Sequence, residues 1–524
     1  MVRGIGALLA GTAGALLAGQ AWAEVPAEDA DRPTIIVTAP GGAVDVDDAL
    51  TISGADIARA GTPDLLGALT RSIAGITLQD AQGNPWQPNL VYRGFTASPL
   101  QGQAQGLAVY LDGARFNQPF GDTVAFDLLP EAAIRKLTLL DASPVYGLNA
   151  LGGAMVVETR TGATDPGLEA SITGGRFDAR EASIAGGFAK GDFSAYGAFQ
   201  YSHEDGWRAF SPSTLYNGYL DLGFDTATGG VHMKLIGADT DLTGNGVAPV
   251  ELLAADRSAV FTWPDNSRAR YGRVSLHPWV ALSDRTRIEG TLYAQRLKLR
   301  TVNGDAADIE GCEDDDASGL LCLETVGGDD GDDEVQSVLI DADGNPISDS
   351  LGGEGYGVLN RGRTHSRAMG ALFQIIDERP ILAGDNHFAL GVSYDTSRTR
   401  FDTSTELGEM TEDRSVEGLG SFIVQPDGAI APVGLVAHTD YWGAFIQDRL
   451  PIAPGLSAEL GLRYNHARIV LQDQIGTALN GRHRFERVNP GVELDYQVGE
   501  GLSLRAGYAE SNRAPTPAEL SCAD

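Results

Sequence analysis

From about residue 167 to residue 511 the chain alternates apolar and polar side chains with a period of two. Leu456, Ala458, Leu460, Leu462 and Tyr464 share one face, while Ser457, Glu459, Gly461, Arg463 and Asn465 share the other. The same dyad sets Phe193, Ala195, Phe199 and Tyr201 against Ser194, Gln200 and Ser202, and Leu502, Leu504, Ala506 and Tyr508 against Ser503, Arg505 and Gly507. Successive side chains of an extended strand point to opposite faces, so each stretch predicts a strand with one apolar and one wet face. Roughly 13 such strands are present, of the length that crosses an outer membrane. Their connections alternate too. Short turns near residues 189–191, 226–229, 282–284, 378–384, 451–454 and 498–500 interleave with loops near 203–212, 243–265, 301–362, 403–436 and 473–483. A soluble β-sandwich or solenoid has no reason to keep that order, whereas a membrane barrel has short turns at one rim and long loops at the other.

Residues 49–162 follow a different pattern. Asp56 to Leu69 carries apolar positions at helical spacing, Leu107–Leu111 is a compact strand ending in the turn Asp112-Gly113, and Ile134–Leu140 and Ala154–Thr159 read as further strands. This predicts a small α+β domain whose glycines mark tight turns and close packing. Ahead of it, Met1 to Ala23 has Arg3, a small-apolar run and the ending Ala21-Trp22-Ala23, the pattern of a secretory signal peptide. Between the two, residues 24–48 are polar except for the β-branched island Thr34, Ile35, Ile36, Val37, Thr38, Ala39, Pro40. The island reads either as an edge added to a partner's sheet or as a first strand of the domain that follows.

Composition narrows the function classes. With 71 acidic against 38 basic residues the chain carries a formal charge of −33, which disfavours a nucleic-acid partner. There is no Gly-Lys dipeptide for a phosphate-binding loop and no C-x-x-C, and the pair His203-Glu204 lacks the second histidine of a zinc-protease motif. No catalytic constellation, cofactor site or metal site is predicted, and the chain is not read as an enzyme.

A folded domain ahead of a large barrel suggests a plug, and here the residues resemble a known family. Tyr92-Arg93-Gly94-Phe95, Val109 to Asn117 with its Asp112-Gly113 turn, and Tyr146-Gly147-Leu148-Asn149-Ala150-Leu151-Gly152-Gly153-Ala154 match, in order and spacing, the plug of TonB-dependent outer-membrane receptors. Thr34 to Pro40 is similar to a TonB box, and Ser511 to Leu520 resembles a segment common in these receptors' barrels. The resemblance implies a plug (residues 49–162) inside an antiparallel transmembrane β-barrel (163–524), in the outer membrane of a Gram-negative bacterium. It further implies import of a scarce ligand, most often a ferric siderophore or other iron chelate, with energy relayed from the inner-membrane complex through TonB to the box. Cobalamin, haem or a carbohydrate are the alternatives within the family. A passive porin or adhesin would need neither plug nor box.

Ligand contacts in a plugged barrel are expected from outward plug loops, and Trp86, Gln87, Gln101, Gln103, Arg115, Asn117 and Gln118 combine aromatic area with donors suited to an oxygen-rich chelate. Arg93 is expected to make buried ion pairs with the barrel wall. Cys312 and Cys322, exported to an oxidising compartment, are expected to form a disulfide within the 301–362 loop, which leaves Cys522 over. The same loop is acidic at Asp314 to Asp316, Asp329, Asp330, Asp332, Asp333 and Glu334; Asp343-Gly344 reads as a hairpin turn and not as a calcium loop. His365 and His438, at strand ends, read as solvated rim residues ahead of haem ligands. A complete barrel of this type has about 22 strands, so the odd count is expected to reflect a truncated chain or a receptor remnant, with Asn512 onward beyond the outer rim.

Overall fold

The computed structural model describes residues 50–59, 65–81, 83–143, 145–326, 334–382, 384–425, 430–499 and 501–522. The signal peptide, the 24–48 segment with its box at 34–40, and Asp329, Asp330, Asp332 and Asp333 therefore lie outside the described residues. The N-terminal domain runs β1 (Leu50–Ser53), α1 (Gly54–Arg59), α2 (Leu65–Ser72), β2 (Ile76–Gln79), β3 (Asn89–Tyr92), β4 (Phe95–Ala97), β5 (Ala108–Leu111), β6 (Ala114–Arg115), β7 (Ile134–Leu140) and β8 (Ala154–Thr159). One sheet has the order β1-β7-β8-β5-β6, with β5 parallel to β8, and a second the order β2-β3-β4. The helical periodicity over Asp56 to Leu69 resolves into two helices, and the residues between them include Gly61 and Pro63, both unfavourable inside a helix. Ser53 opens α1 with a reciprocal cap: its hydroxyl donates to Asp56 Oδ2 (2.6 Å) and accepts from the Asp56 N–H (3.2 Å).

Two sequence motifs are hairpin turns. Arg93 and Gly94 (φ 50° and 86°) join β3 to β4, and Asp112 and Gly113 (φ 47° and 79°) join β5 to β6, each closing a two-residue loop. Left-handed backbone at both central positions matches the right-handed twist of the flanking strands, and glycine supplies the second at no steric cost. A third motif packs against the first: a Cβ on Gly152 would sit 2.4 Å from Phe95 ring atoms, so only glycine lets that ring lie there.

The period-two region forms thirteen consecutive antiparallel strands: β9 (Gly167–Gly174), β10 (Arg180–Lys190), β11 (Phe193–Glu204), β12 (Ser213–Asp225), β13 (Gly229–Thr243), β14 (Asp265–Ser283), β15 (Thr286–Ala306), β16 (Tyr356–Asp377), β17 (His387–Met410), β18 (Val433–Ala453), β19 (Leu456–Asp473), β20 (Gly481–Gly499) and β21 (Leu502–Ala509). Each pairs with its sequence neighbours, and a short strand, Val416–Phe422, adds to β17 off this path. Among the described residues, no helix is long and apolar enough to cross a membrane.

Burial along the wall is the reverse of a soluble protein's. In β19, Leu460 and Leu462 are 47% and 45% exposed, while Arg463 and Asn465 are 6% and 2% exposed. Phe193 and Phe199 of β11 face out, and Ser194, Gln200 and Ser202 are buried. An apolar outer face with a polar inner face suits a wall surrounded by lipid. What covers the inner face is the N-terminal domain: its Leu111, Phe116 and Leu128 share one apolar core with Tyr196, Tyr219, Tyr271 and Leu297 of the wall, and Phe116 meets Tyr271 edge-on at 6.1 Å.

At the long-loop end, short strands Ile309–Gly311, Leu321–Val326 and Glu334–Val338 form a separate sheet with the expected Cys312–Cys322 disulfide, so this acidic loop has a folded base with Ile309, Leu321, Leu339 and Ile347 as its core. Asp341 to Asn345 is a tight turn, as read from Asp343-Gly344: the Gly344 N–H reaches Asp341 O (3.0 Å), and the Asp341 side chain accepts from the N–H groups of Asp343 and Asn345. Those backbone donors, the Asn345 N–H first, hold the Asp341 carboxyl below its usual range.

Candidate functional site

The N-terminal domain is fastened to the wall through polar groups that alternation placed on the inner face. Lys234 of β13 puts its ammonium 2.8 Å from Asp112 Oδ1 and donates to Thr159 Oγ1 (2.9 Å). Asp112 also accepts from the Thr159 N–H (2.9 Å), which ties the β5–β6 turn to the end of β8. Burial alone would raise the Asp112 carboxyl, but Lys234 beside it outweighs that and holds it below the usual range. Further round the wall, Asn217 donates to Asp127 O and Leu129 O, Arg273 to Leu111 O and Arg115 O, and Arg463 to Val145 O. Charged and amide donors on carbonyls leave few buried groups unpaired across the contact.

At the long-loop end a cleft of about 750 Å³ opens between residues 78–88 of the domain and the rims of β9 to β13. That volume suits a small chelate. Trp86, Phe177 and Trp207 supply aromatic surface; its floor includes Asp127, which accepts from Thr240 Oγ1 (2.9 Å) and Gln87 Nε2 (3.4 Å). Burial pushes the Asp127 carboxyl up to about 6 despite those donors.

Of the residues singled out by sequence, Trp86 lines this cleft. Gln87 lies beneath it, buried, and its amide donates to Asp127. Asn117 and Gln118 are buried as well. Asn117 accepts from the Val109 N–H and donates to Leu107 O and Asp122 O, and Gln118 donates to Phe116 O. Arg115 pairs with Asp122 at 2.6 Å and lines a small internal cavity with Tyr293 and Asp395. Gln101 and Gln103 are exposed on another outward loop, where Gln101 donates to Thr364 Oγ1 (3.3 Å).

Arg93 differs from expectation. It pairs with Asp141 of its own domain at 2.6 Å, with the two side chains 55% and 62% exposed, on a left-handed turn. Among the described residues, the buried cations between domain and wall are Lys234, Arg273 and Arg463, on the wall, and their signal in the sequence is inward parity on a strand. The motif glycines Gly147 and Gly153 are close-contact positions: the Gly147 N–H donates to the Tyr110 hydroxyl (3.1 Å), and Gly153, at φ 122°, lies against Leu140 O; Tyr146 is buried beside them. The segment after β21 turns inward onto the domain instead of away from the rim. Asn149 donates to Asp122 Oδ2 (2.7 Å) and accepts from the Ala514 N–H (3.2 Å), and Asn465 and Asn489 both donate to Asn512 Oδ1. His365 is exposed on the wall. Cys522 is exposed and unpaired among the described residues.

Two family models match. One, described as the TonB-dependent receptor plug domain, matches residues 42–154; the other, described as TonB dependent receptor-like, beta-barrel, matches residues 324–523; together they take in more than half of the chain. Among solved structures, the siderophore receptor PiuA from Acinetobacter baumannii is similar at 14% identity and a TM-score of 0.63, over 90% of this chain and 65% of that one. The unliganded ferric citrate transporter FecA gives 14% and 0.64 over 90% and 64%, and the closed form of the ferric-catecholate import receptor Fiu from E. coli K12 gives 15% and 0.62 over 88% and 65%. The likeness is one of fold, and the chain spans 64 or 65% of the length of these receptors.

Proposed function

This chain belongs to the TonB-dependent receptor family, and we propose from that membership that it takes up an iron chelate at the long-loop cleft and passes it through the outer membrane as the plug moves. One observation carries the reading: a folded domain packs against the inner face of the wall beneath an aromatic-lined cleft. A filled lumen passes nothing of chelate size until its filling moves. The sequence offers no nucleotide-binding loop to drive that movement, so the energy comes from a partner. TonB, pairing as a strand with Thr34 to Pro40, is the partner that the family's chemistry supplies. A pull on the N-terminal segment is transmitted to β1, which pairs with β7 at the core of the plug sheet.

Uptake of radiolabelled ferric chelates by cells expressing the protein, with cobalamin and haem as competitors, tests this. Uptake is expected to require TonB and residues 34–40, and the protein to fractionate with the outer membrane. Absence of affinity for every iron chelate tried, or uptake indifferent to deletion of 34–40, overturns the proposal.

A further inference from the structure

We infer that the long-loop cleft selects an iron chelate of net positive charge; the inference rests on the uptake reading and narrows its substrate. Five carboxylates line the cleft, from Asp80, Asp127, Glu131, Glu181 and Glu204, against two guanidiniums, from Arg180 and Arg208. Both guanidiniums are already engaged. Arg208 donates to the carbonyls of Asn245, Gly246 and Ala259 at 2.7 to 3.3 Å, and Arg180 pairs with Asp178 at 2.5 Å. A bidentate grip by Arg208 on an anionic ligand would have to break its carbonyl bonds, and one by Arg180 would compete with Asp178. Even leaving Asp127 out, carboxylates outnumber cations in the lining.

Two independent features point the same way. Beside the cleft residue His203, Asp205 brings a carboxylate oxygen within 4.8 Å of a ring nitrogen of His203 and of Asp178, and so adds a negative charge beyond the Asp178–Arg180 pair. Trp86, Phe177 and Trp207 line the cleft, and the Trp207 ring already holds the Arg208 guanidinium 5.7 Å from its centroid, the kind of contact that an aromatic quadrupole makes with a cation and denies to an anion.

The test measures binding of three ferric chelates of similar size to the full chain folded in detergent, followed by tryptophan quenching. They are a linear trihydroxamate bearing a free ammonium, a neutral cyclic trihydroxamate and a trianionic tricatecholate. The cationic chelate is expected to bind at least about tenfold more tightly than the trianionic one at low salt, with the ratio shrinking as salt is raised. Glu204→Gln is expected to lower the ratio several-fold with circular dichroism unchanged; the salt series needs no variant. Equal or tighter binding of the tricatecholate overturns the charge inference and leaves the uptake reading standing. If none of the three binds to protein that retains its β-sheet spectrum, the uptake reading falls and the inference with it.

Discussion

Replacing Lys234 with methionine removes the cation that neutralises Asp112 while keeping the length of the side chain. Both members of the pair are less than a tenth exposed, and Asp112 Oδ1 is 2.8 Å from the ammonium. Breaking a buried pair on one side leaves an uncompensated charge and costs about 3–5 kcal/mol. The loss falls on the contact between plug and wall, so the population of the undocked plug is expected to rise by roughly two to three and a half powers of ten. Hydrogen exchange reads this directly, because the Thr159 N–H donates to Asp112 Oδ1 and the Asp112 N–H to Val157 O. The pH dependence distinguishes electrostatics from packing. In the parent, the Asp112 carboxyl is held below its usual range, so its contribution is present above the unfolded value and is lost as pH falls through the lower folded one. In Lys234→Met burial, which raises the carboxyl, is opposed only by the Thr159 donors and His277. The deficit is then large at neutral pH and shrinks as acid protonates Asp112. Adding Asp112→Asn, which tolerates the left-handed φ of 47°, is expected to recover most of the loss at neutral pH. Exchange at Thr159 within about threefold of the parent, or a deficit flat between about pH 4 and 8, refutes the reasoning.

Asp127 carries the opposite sign: its carboxyl is pushed up to about 6, so stability is greatest at low pH and falls as pH rises from the unfolded value toward the folded one. Asp127→Asn is expected to remove that slope and to stabilise the protein by up to about 3 kcal/mol at pH 8, from about 1.4 kcal/mol per pKa unit; denaturant midpoints against pH check it, and an unchanged slope rejects it. Gly152→Ala puts a methyl into the Phe95 ring and is expected to cost about 1–3 kcal/mol, seen as faster proteolysis of the plug, whereas parent-like resistance would show that the ring yields freely. Arg93→Ala, by contrast, removes a solvent-exposed pair and is expected to shift stability by less than about 1 kcal/mol; a larger loss in the same assay would mean that Arg93 reaches the wall. Reducing Cys312–Cys322 is expected to open the 309–338 sheet to protease and leave the wall's sheet content unchanged by circular dichroism.

Much of the architecture is local and was therefore legible in sequence. The two-residue period of Leu456 to Asn465 follows from extended backbone geometry, and the order of short turns and long loops survives in the thirteen wall strands. Asp112-Gly113 announces its own turn, since its left-handed φ values need no distant partner. The Cys312–Cys322 pairing is likewise close in sequence. Which polar side chain faces which was decided only by the tertiary structure. Gln87, Asn117 and Gln118 carry the donors of a ligand site, yet Asp127, Leu107 O and Phe116 O accept them inside the domain. Arg93 has the charge of a wall contact, yet it is exposed and pairs with Asp141. Lys234 becomes Asp112's partner because the register of β13 and the seating of the plug bring together groups far apart along the chain. The cleft has the same origin. Its walls come from residues 78–88, 173–181 and 200–211, and no local rule relates those segments: alternation chooses a side chain's face, while only the packed fold chooses what that face meets.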